Sequence, residues 1–360
     1  MPRPAGIGST LRTRLRIALT ADPYIPVPPP LYGGIERIVH LLAEGLVARG
    51  HDVTLFAHHA SAIAGVPVIP YGMPPHVGFR RRAGELVQLG GALWKRRGAF
   101  DVVHSFGRLA ALAPVLPLSS LAKVQSYQRP VPWRGVRRAV RVSGQSLEFT
   151  ACSASMFTGH QRGGVGTWHA IHNGVPIDRY CFVPAVPPAA PLVYLGKIEP
   201  MKGVHTAIEI ASRAERRLII AGNRATTGSD ARYFDEQIAP AIDGDRVRYI
   251  GPVDDVMKNA VLGEAAALLF PTRYPEAFGI VMAESMACGT PVIGFANGGV
   301  PEVIRHGTNG FLCDTADEAV AAVPRLAEID RAVVRLDCEQ RFSAPVIVSK
   351  YEALYRRMTA

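Results

Sequence analysis

Two glutamates eight residues apart, Glu276 and Glu284, stand in the run Tyr274-Pro275-Glu276-Ala277-Phe278-Gly279-Ile280-Val281-Met282-Ala283-Glu284. Pro271 and Pro275 keep the first part out of helix, and Ile280 to Cys288 reads as a helix ended by Gly289 and Pro291. Glu276 therefore precedes the helix and Glu284 lies in its first turns. Such a helix start leaves the backbone N–H groups of Phe278, Gly279 and Ile280 unbonded at the positive end of the dipole, which suits a diphosphate. A carboxylate on either side accepts hydrogen bonds from hydroxyls, so the ligand this arrangement suits is a nucleotide sugar.

Two other segments carry charge or bare backbone at comparable places. In Leu195-Gly196-Lys197-Ile198-Glu199-Pro200-Met201-Lys202-Gly203 two lysines straddle the turn after an apolar strand, and Lys202 immediately precedes a helix start. At the carboxyl end of a strand such ammonium groups neutralise phosphates as point charges, although a pair of solvated loop lysines has the same spacing. Near the N-terminus, Asp22 to Tyr32 holds five prolines and runs into Gly33-Gly34 at the start of a helix. Glycine there lets backbone approach an anion closely, and it is also ordinary turn chemistry.

The elements that must position these groups alternate along the chain. Short apolar strands are expected at 16–20, 53–56, 102–105, 123–126 and 170–172, then again at 192–195, 217–220, 247–250, 267–270 and 291–294. Amphipathic helices fill the intervals, as at Ile35, Ile38, Val39, Leu42, Leu46 and Val47. Strand and helix in alternation, twice over, predict an α/β chain of two doubly wound parallel sheets. The Pro-rich stretch 183–191 sets the expected boundary, with a basic tail over 1–14, one domain over 15–184 and a second over 185–341.

Composition narrows the function classes. With 360 residues and 48% hydrophobic content, the chain is long enough for two cores, and no apolar run approaches the roughly 20 residues of a membrane span. Five scattered cysteines, the adjacent His58-His59 and the Asp243-x-Asp245 turn supply neither a disulfide framework nor a metal site. No secretory signal precedes residue 15, so the expected compartment is the cytosol. The net charge of +10 is uneven: residues 1–180 hold 21 Lys and Arg against 8 Asp and Glu, whereas residues 181–360 hold 19 against 22. The basic clusters Arg80-Arg81-Arg82, Lys95-Arg96-Arg97 and Arg129 to Arg141 would attract an anionic membrane surface or an anionic acceptor, or are simply a solvated face. No nucleic-acid-binding motif accompanies them.

Taken together, Gly33-Gly34, Lys197 and Lys202 with Gly203, the Glu276 to Glu284 segment, and Gly298-Gly299-Val300-Pro301-Glu302 resemble the family 4 retaining glycosyltransferases of the GT-B fold, in a bacterial branch that decorates natural products and envelope polysaccharides. The resemblance implies two Rossmann-like domains facing a cleft, and a final helix, about 342–360, packed back on the first domain. It implies transfer of a hexosyl group from a nucleotide sugar, such as UDP-glucose or GDP-mannose, without metal or other cofactor, to an acceptor hydroxyl on a small molecule, polysaccharide or lipid-linked carrier. In such enzymes Glu276 would receive the donor sugar hydroxyls and Glu284 the ribose. Lys197 and Lys202 would hold the diphosphate with the backbone of Ala277, Phe278, Gly279 and Ile280 and, from across the cleft, Gly33 and Gly34. The base would rest on backbone near Gly251 and Val253, and retention by same-face attack is expected over double displacement.

Three positions depart from that pattern. Lys197 replaces an arginine and loses its bidentate fork. Phe106 and Gln128 stand where histidines are usual, which leaves His104, on a strand end read as facing the cleft, as the remaining candidate catalytic histidine of the first domain, although a hydrogen-bonded structural role is the reading favoured for it. Because of these changes two other activities stay open at this stage: a nucleotide-sugar-binding regulatory subunit and a sugar-nucleotide epimerase.

Overall fold

A computed structural model describes residues 14–30, 33–72, 79–161 and 165–360, so the expected tail over 1–13 lies outside the described residues. Arg14, the last residue of that expected tail, is tied to the fold by an ion pair with Asp52. The chain divides into two compact units, one of residues 1–151, 157–171 and 347–360 and one of residues 152–156 and 172–346.

In the first unit seven strands, β1 (Arg16–Thr20), β2 (Asp52–Ala57), β3 (Val68–Pro70), β4 (Val102–Ser105), β5 (Ala122–Tyr127), β6 (Leu147–Ala151) and β7 (Thr167–Ala170), form a parallel sheet ordered β3-β2-β1-β4-β5-β6-β7. Thr20 at the end of β1 registers with Phe56 on one side and Ser105 on the other. β4 and β5 are buried along their whole length, as parallel strands covered on both faces must be. In the second unit β8 (Leu192–Leu195), β9 (Leu218–Ala221), β10 (Val247–Gly251), β11 (Ala267–Phe270), β12 (Val292–Phe295) and β13 (Gly310–Cys313) form a parallel sheet ordered β10-β9-β8-β11-β12-β13. Both sheets reverse their winding at one point, between β1 and β4 and between β8 and β11. A crevice opens outside the carboxyl ends of the strands at such a point, and ligands bind there.

The last helix, Ala344–Thr359, buries Ile347, Val348, Tyr351, Leu354 and Tyr355, and from Ile347 onward it belongs to the first unit. Gly45 makes that contact close, since a Cβ there would stand 2.5 Å from Val348. Glu352 adds a polar anchor: its oxygens lie 2.7 Å from Arg49 and 3.2 Å from His51. Burial alone would raise the Glu352 pKa, but hydrogen bonds from Arg49, Arg356 and His51 outweigh it and hold it at about 2.

Two expectations are corrected. The Pro-rich stretch 183–191 is not the crossover, because residues 172–184 already belong to the second unit. There Val175 N–H donates to Phe342 O at 2.8 Å and Val183 N–H to Cys288 O at 3.0 Å. The strand expected at 170–172 lies at 167–170 instead; Ile171 makes the last bond to β6, at Ala151 O, and His172 has left the sheet. β3, β6 and β13 were not among the expected strands: β3 is three residues long and ends on Pro70, whereas β6, Leu147-Glu148-Phe149-Thr150-Ala151, does alternate and was readable.

Candidate functional site

At the switch point of the second unit, β8 runs out into Gly196 and Lys197, and β11 into Pro271 to Glu276. The helix Ile280–Ala287 starts from Gly279 at φ 75°, a left-handed conformation that turns the chain from loop into helix. Among the described residues, none of the amides of Phe278, Gly279, Ile280 and Val281 has a hydrogen-bond partner; the next, Met282, donates to Gly279 O at 3.0 Å. Below them the Phe278 ring is fixed in the core against His172 and Phe342, with centroids 5.7 and 5.4 Å away.

Glu276 sits beside this helix start and its position is set from three sides. Its carboxylate is ion-paired with Lys202 Nζ and accepts from the Ala277 amide at 3.3 Å. Its carbonyl accepts from the Gly299 amide at 2.6 Å. Gly298 lies so close that a Cβ would be 2.4 Å from Glu276 O, and its φ of 61° is in the left-handed region, so a side chain there would displace the Glu276 peptide. Lys202 is aimed by Gly203, at φ 78°, where a Cβ would fall 2.1 Å from Pro271 O. The two glycines thus let two strand ends come together and bring Lys202 onto Glu276. Lys197 is exposed, with Nζ 3.8 Å from Glu199.

Glu284, one turn into the helix, is buried and accepts from Tyr180 Oη at 2.7 Å and Lys258 Nζ at 2.5 Å. Neither partner was legible in the sequence, because both come from distant segments and no local motif marks them. A second unforeseen contact lies at Glu302, which accepts from the Ala154 and Ser155 amides, each at 2.8 Å, and from His172 Nε2 at 3.2 Å. Burial pushes the Glu302 pKa up, and these three donors bring it below the usual carboxylate value. Gly251, at φ 78°, ends β10 and accepts from Gly222 N at 2.8 Å, with Val253 half-buried two residues on. Among the described residues no group of three or more His, Cys, Asp or Glu is arranged to hold a metal ion.

The remaining site candidates belong to the first unit. Gly33 and Gly34 open the helix Gly34–Ala48, and a Cβ on Gly33 would strike Pro29 at 2.7 Å and Glu36 at 2.9 Å. His104 does not face a cleft at the strand end; both of its ring nitrogens are hydrogen-bonded inside the first unit. It is wholly buried, with Nδ1 bonded to Tyr355 Oη at 2.5 Å and Nε2 to Ser126 Oγ at 2.6 Å. Ser126 continues the chain of bonds to Thr150. Phe106 and Gln128 both line a cavity of about 580 Å³ at the switch point of this unit.

Burial lowers the His104 pKa to about 3, from 6.5. Between those values the unfolded chain binds a proton that the folded chain excludes, so stability falls as pH drops through that window. At about pH 4.5 this amounts to roughly 2–3 kcal/mol relative to neutral pH. His104→Gln keeps hydrogen-bonding capacity without titrating, so its urea midpoint should fall less steeply with acid than wild type; parallel falls would remove His104 from the account.

The comparisons with known proteins agree with this architecture. Residues 188–337 match the family model described as glycosyl transferases group 1, and residues 32–179 match glycosyltransferase family 4. The glycogen synthase of Mycobacterium tuberculosis (strain H37Rv) is 28% identical over 366 residues, covering 88% of this chain and 86% of the relative. A glycosyltransferase involved in avilamycin A biosynthesis superposes with a TM-score of 0.69 at 26% identity, over 96% of this chain and 98% of its own. An Anabaena protein solved with UDP and glucose has the same fold at 19% identity, with a TM-score of 0.73 over 94% of this chain and 99% of its own. With both of its units matched in this way, the chain belongs to the GT-B glycosyltransferases that join a family 4 domain to a group 1 domain.

Proposed function

We propose that the protein moves a hexosyl group from a nucleotide sugar, UDP-glucose being the first to try, to an acceptor hydroxyl with retention of configuration and without a metal. The observation that carries this reading is the set of four consecutive amides, 278–281, without partners between two lysine–glutamate pairs, Lys202–Glu276 and Lys258–Glu284. Amides at a helix start hold a diphosphate, and the two carboxylates take the hydroxyls at its two ends: Glu276 those of the sugar, Glu284 those of the ribose. When sugar hydroxyls occupy Glu276, the Lys202 ammonium turns to the phosphate beside Lys197. Negative charge grows on the departing diphosphate, and fixed amides with two ammonium groups stabilise it without a metal. Gly251 and Val253 offer backbone to the base, and Gly33 and Gly34 are the first unit's proposed contribution to phosphate binding. Same-face attack is favoured because Glu276 and Glu284 are committed to hydroxyls, while Glu302 is held by two amides and His172. No carboxylate of this set is left as a nucleophile.

The test is a panel of nucleotide sugars, with and without EDTA, followed by slow nucleotide release and by the anomeric configuration of any product. Release from one donor, unaffected by EDTA, is the expected result. Tight binding without release from any donor would favour a regulatory subunit, and isomerisation of the free donor an epimerase.

We further propose a cytoplasmic location in peripheral contact with anionic membrane. Among the described residues no helix is long and apolar enough to cross a membrane. The helix Trp133–Ser143, however, exposes Arg134, Arg137, Arg138 and Arg141 together with Val142. Guanidinium groups beside an exposed aliphatic side chain suit the headgroup region of an anionic bilayer. Sedimentation with vesicles should rise with the phosphatidylglycerol fraction and fall in Arg137→Glu/Arg141→Glu; equal pelleting with neutral and anionic vesicles would end this proposal.

A further inference from the structure

The cavity of the first unit occupies the position that the switch point of the second unit gives to the helix start and its glutamates. It lies beyond the carboxyl ends of β1 and β4, at Asp22 and at Phe106 to Arg108, and its volume of about 580 Å³ is within the range of small-molecule sites. Its walls are predominantly apolar, with Ile35, Phe106, Leu109, Leu116 and Ala139 among them. Phe106 belongs to this wall, which is therefore apolar where the resemblance implied a histidine.

Two features show that the cavity is fitted for something other than hydrocarbon alone. Arg108, Arg129 and Arg138 stand at its lining, and among the described residues none of them has a hydrogen-bonded or ion-paired carboxylate. Among the described residues Asp22 is the one lining carboxylate and is half-buried; burial raises its pKa, with Arg129 and Arg108 acting against that rise. The second feature is Tyr127, 8% exposed, whose ring is stacked against Trp168 and Phe149 at 5.7 and 6.4 Å. Among the described residues its buried hydroxyl has no hydrogen-bond partner. Buried hydroxyls are nearly always satisfied, and this one lies on a residue that lines the cavity.

We infer that this cavity takes the acceptor, and that the acceptor is an amphiphile: an apolar body of chain or fused-ring type carrying a hydroxyl and an anionic group, held by the walls, by Tyr127 and Asp22, and by the three arginines respectively. The assignment rests on the glycosyl-transfer reading and deepens it. The apolar stretches of the wall disfavour an oligosaccharide acceptor, because a sugar hydroxyl pressed against hydrocarbon there gives up its water without gaining a partner.

Calorimetric titration of the intact protein tests it, with n-hexyl and n-octyl phosphate, 1-naphthyl phosphate, n-octanol, inorganic phosphate and maltotetraose as probes. The alkyl or naphthyl phosphates should bind saturably and at least about tenfold more tightly than inorganic phosphate or maltotetraose. A chain-type acceptor is marked by about a fourfold gain for each added methylene, a ring-type acceptor by preference for the naphthyl probe. Gly135→Trp and Ala113→Trp, at two places on the lining, should each weaken the preferred probe at least about tenfold. Gly135 has open space around its Cβ position, and Ala113 is exposed, so neither change should disturb the fold. Arg108→Gln/Arg129→Gln should weaken the phosphate probes about tenfold and leave n-octanol unchanged. Maltotetraose binding as well as the amphiphiles, or both tryptophan variants binding them as wild type does, would overturn the assignment. UDP binding followed in the same samples separates the two readings. Its absence from wild type would sink the donor site and leave the cavity result standing.

Discussion

Glu276→Gln is expected to cut turnover by about 10²–10³-fold while changing UDP affinity little, because a hydroxyl contact that tightens as the sugar becomes cationic contributes several kcal/mol in the transition state only. The amide of glutamine keeps the size of the side chain and one acceptor oxygen but loses the charge that polarises a sugar hydroxyl. The same substitution breaks the ion pair with Lys202, so a purely structural role predicts a different pattern. In that case thermal stability and UDP affinity would fall together with turnover, and Glu276→Asp would restore none of it. A variant with unchanged kcat would remove Glu276 from the site.

The second large effect is on affinity. Lys202→Ala should weaken UDP-glucose binding by about 1.5–3 kcal/mol, the contribution of a charge-assisted hydrogen bond to phosphate, which is roughly 10- to 150-fold in Kd. Lys197→Ala should cost less, since its ammonium is solvated and 45% of its side chain is exposed. Both should act on nucleotide diphosphates and leave nucleoside binding untouched. Equal loss with uridine would mean that the lysine holds the loop rather than the phosphate.

Much of the scaffold was legible because parallel strands covered on both faces tend to read as near-continuous apolar runs. Val102-Val103, Leu192 to Leu195 and Ala267 to Phe270 carry that signal within four residues, and their strands fall where the pattern sets them. The helix Ile280–Ala287 was equally plain, bracketed by Gly279 and Gly289. What lay beyond reach were contacts between segments far apart in sequence. Lys258 meets Glu284 across 26 residues and Tyr180 meets it across 104, and nothing local to either residue announces a partner. For His104 the hydrogen-bonded role was readable but the burial was not: a histidine at the end of a strand reads as facing a cleft until the final helix, some 250 residues later, brings Tyr355 onto its Nδ1. The proline run at 183–191 misled in another way. Prolines mark irregular backbone, and here that backbone runs along the second unit, with Val183 bonded to Cys288, instead of marking the passage into it.

The chemistry followed the same division. The helix start with its free amides and the residue types around it could be read from spacing, since Pro, Gly and an apolar run dictate where such a helix begins. The exchange proposed for Glu276, from Lys202 to sugar hydroxyls, needed the observed ion pair. The cavity needed Phe106 and Gln128 to be seen in one lining, although in the sequence they are only two isolated departures.

The central claim is that a nucleotide diphosphate sits on the amides of residues 278–281 with Glu276 turned to the sugar. A crystal structure of the protein with UDP-glucose addresses it directly. The expected result is diphosphate oxygens within about 3.2 Å of at least two of those amides and of Lys202 Nζ, with Glu276 hydrogen-bonded to sugar hydroxyls in place of the lysine. Diphosphate bound elsewhere, or Glu276 still paired with Lys202 while the donor is in place, would contradict it.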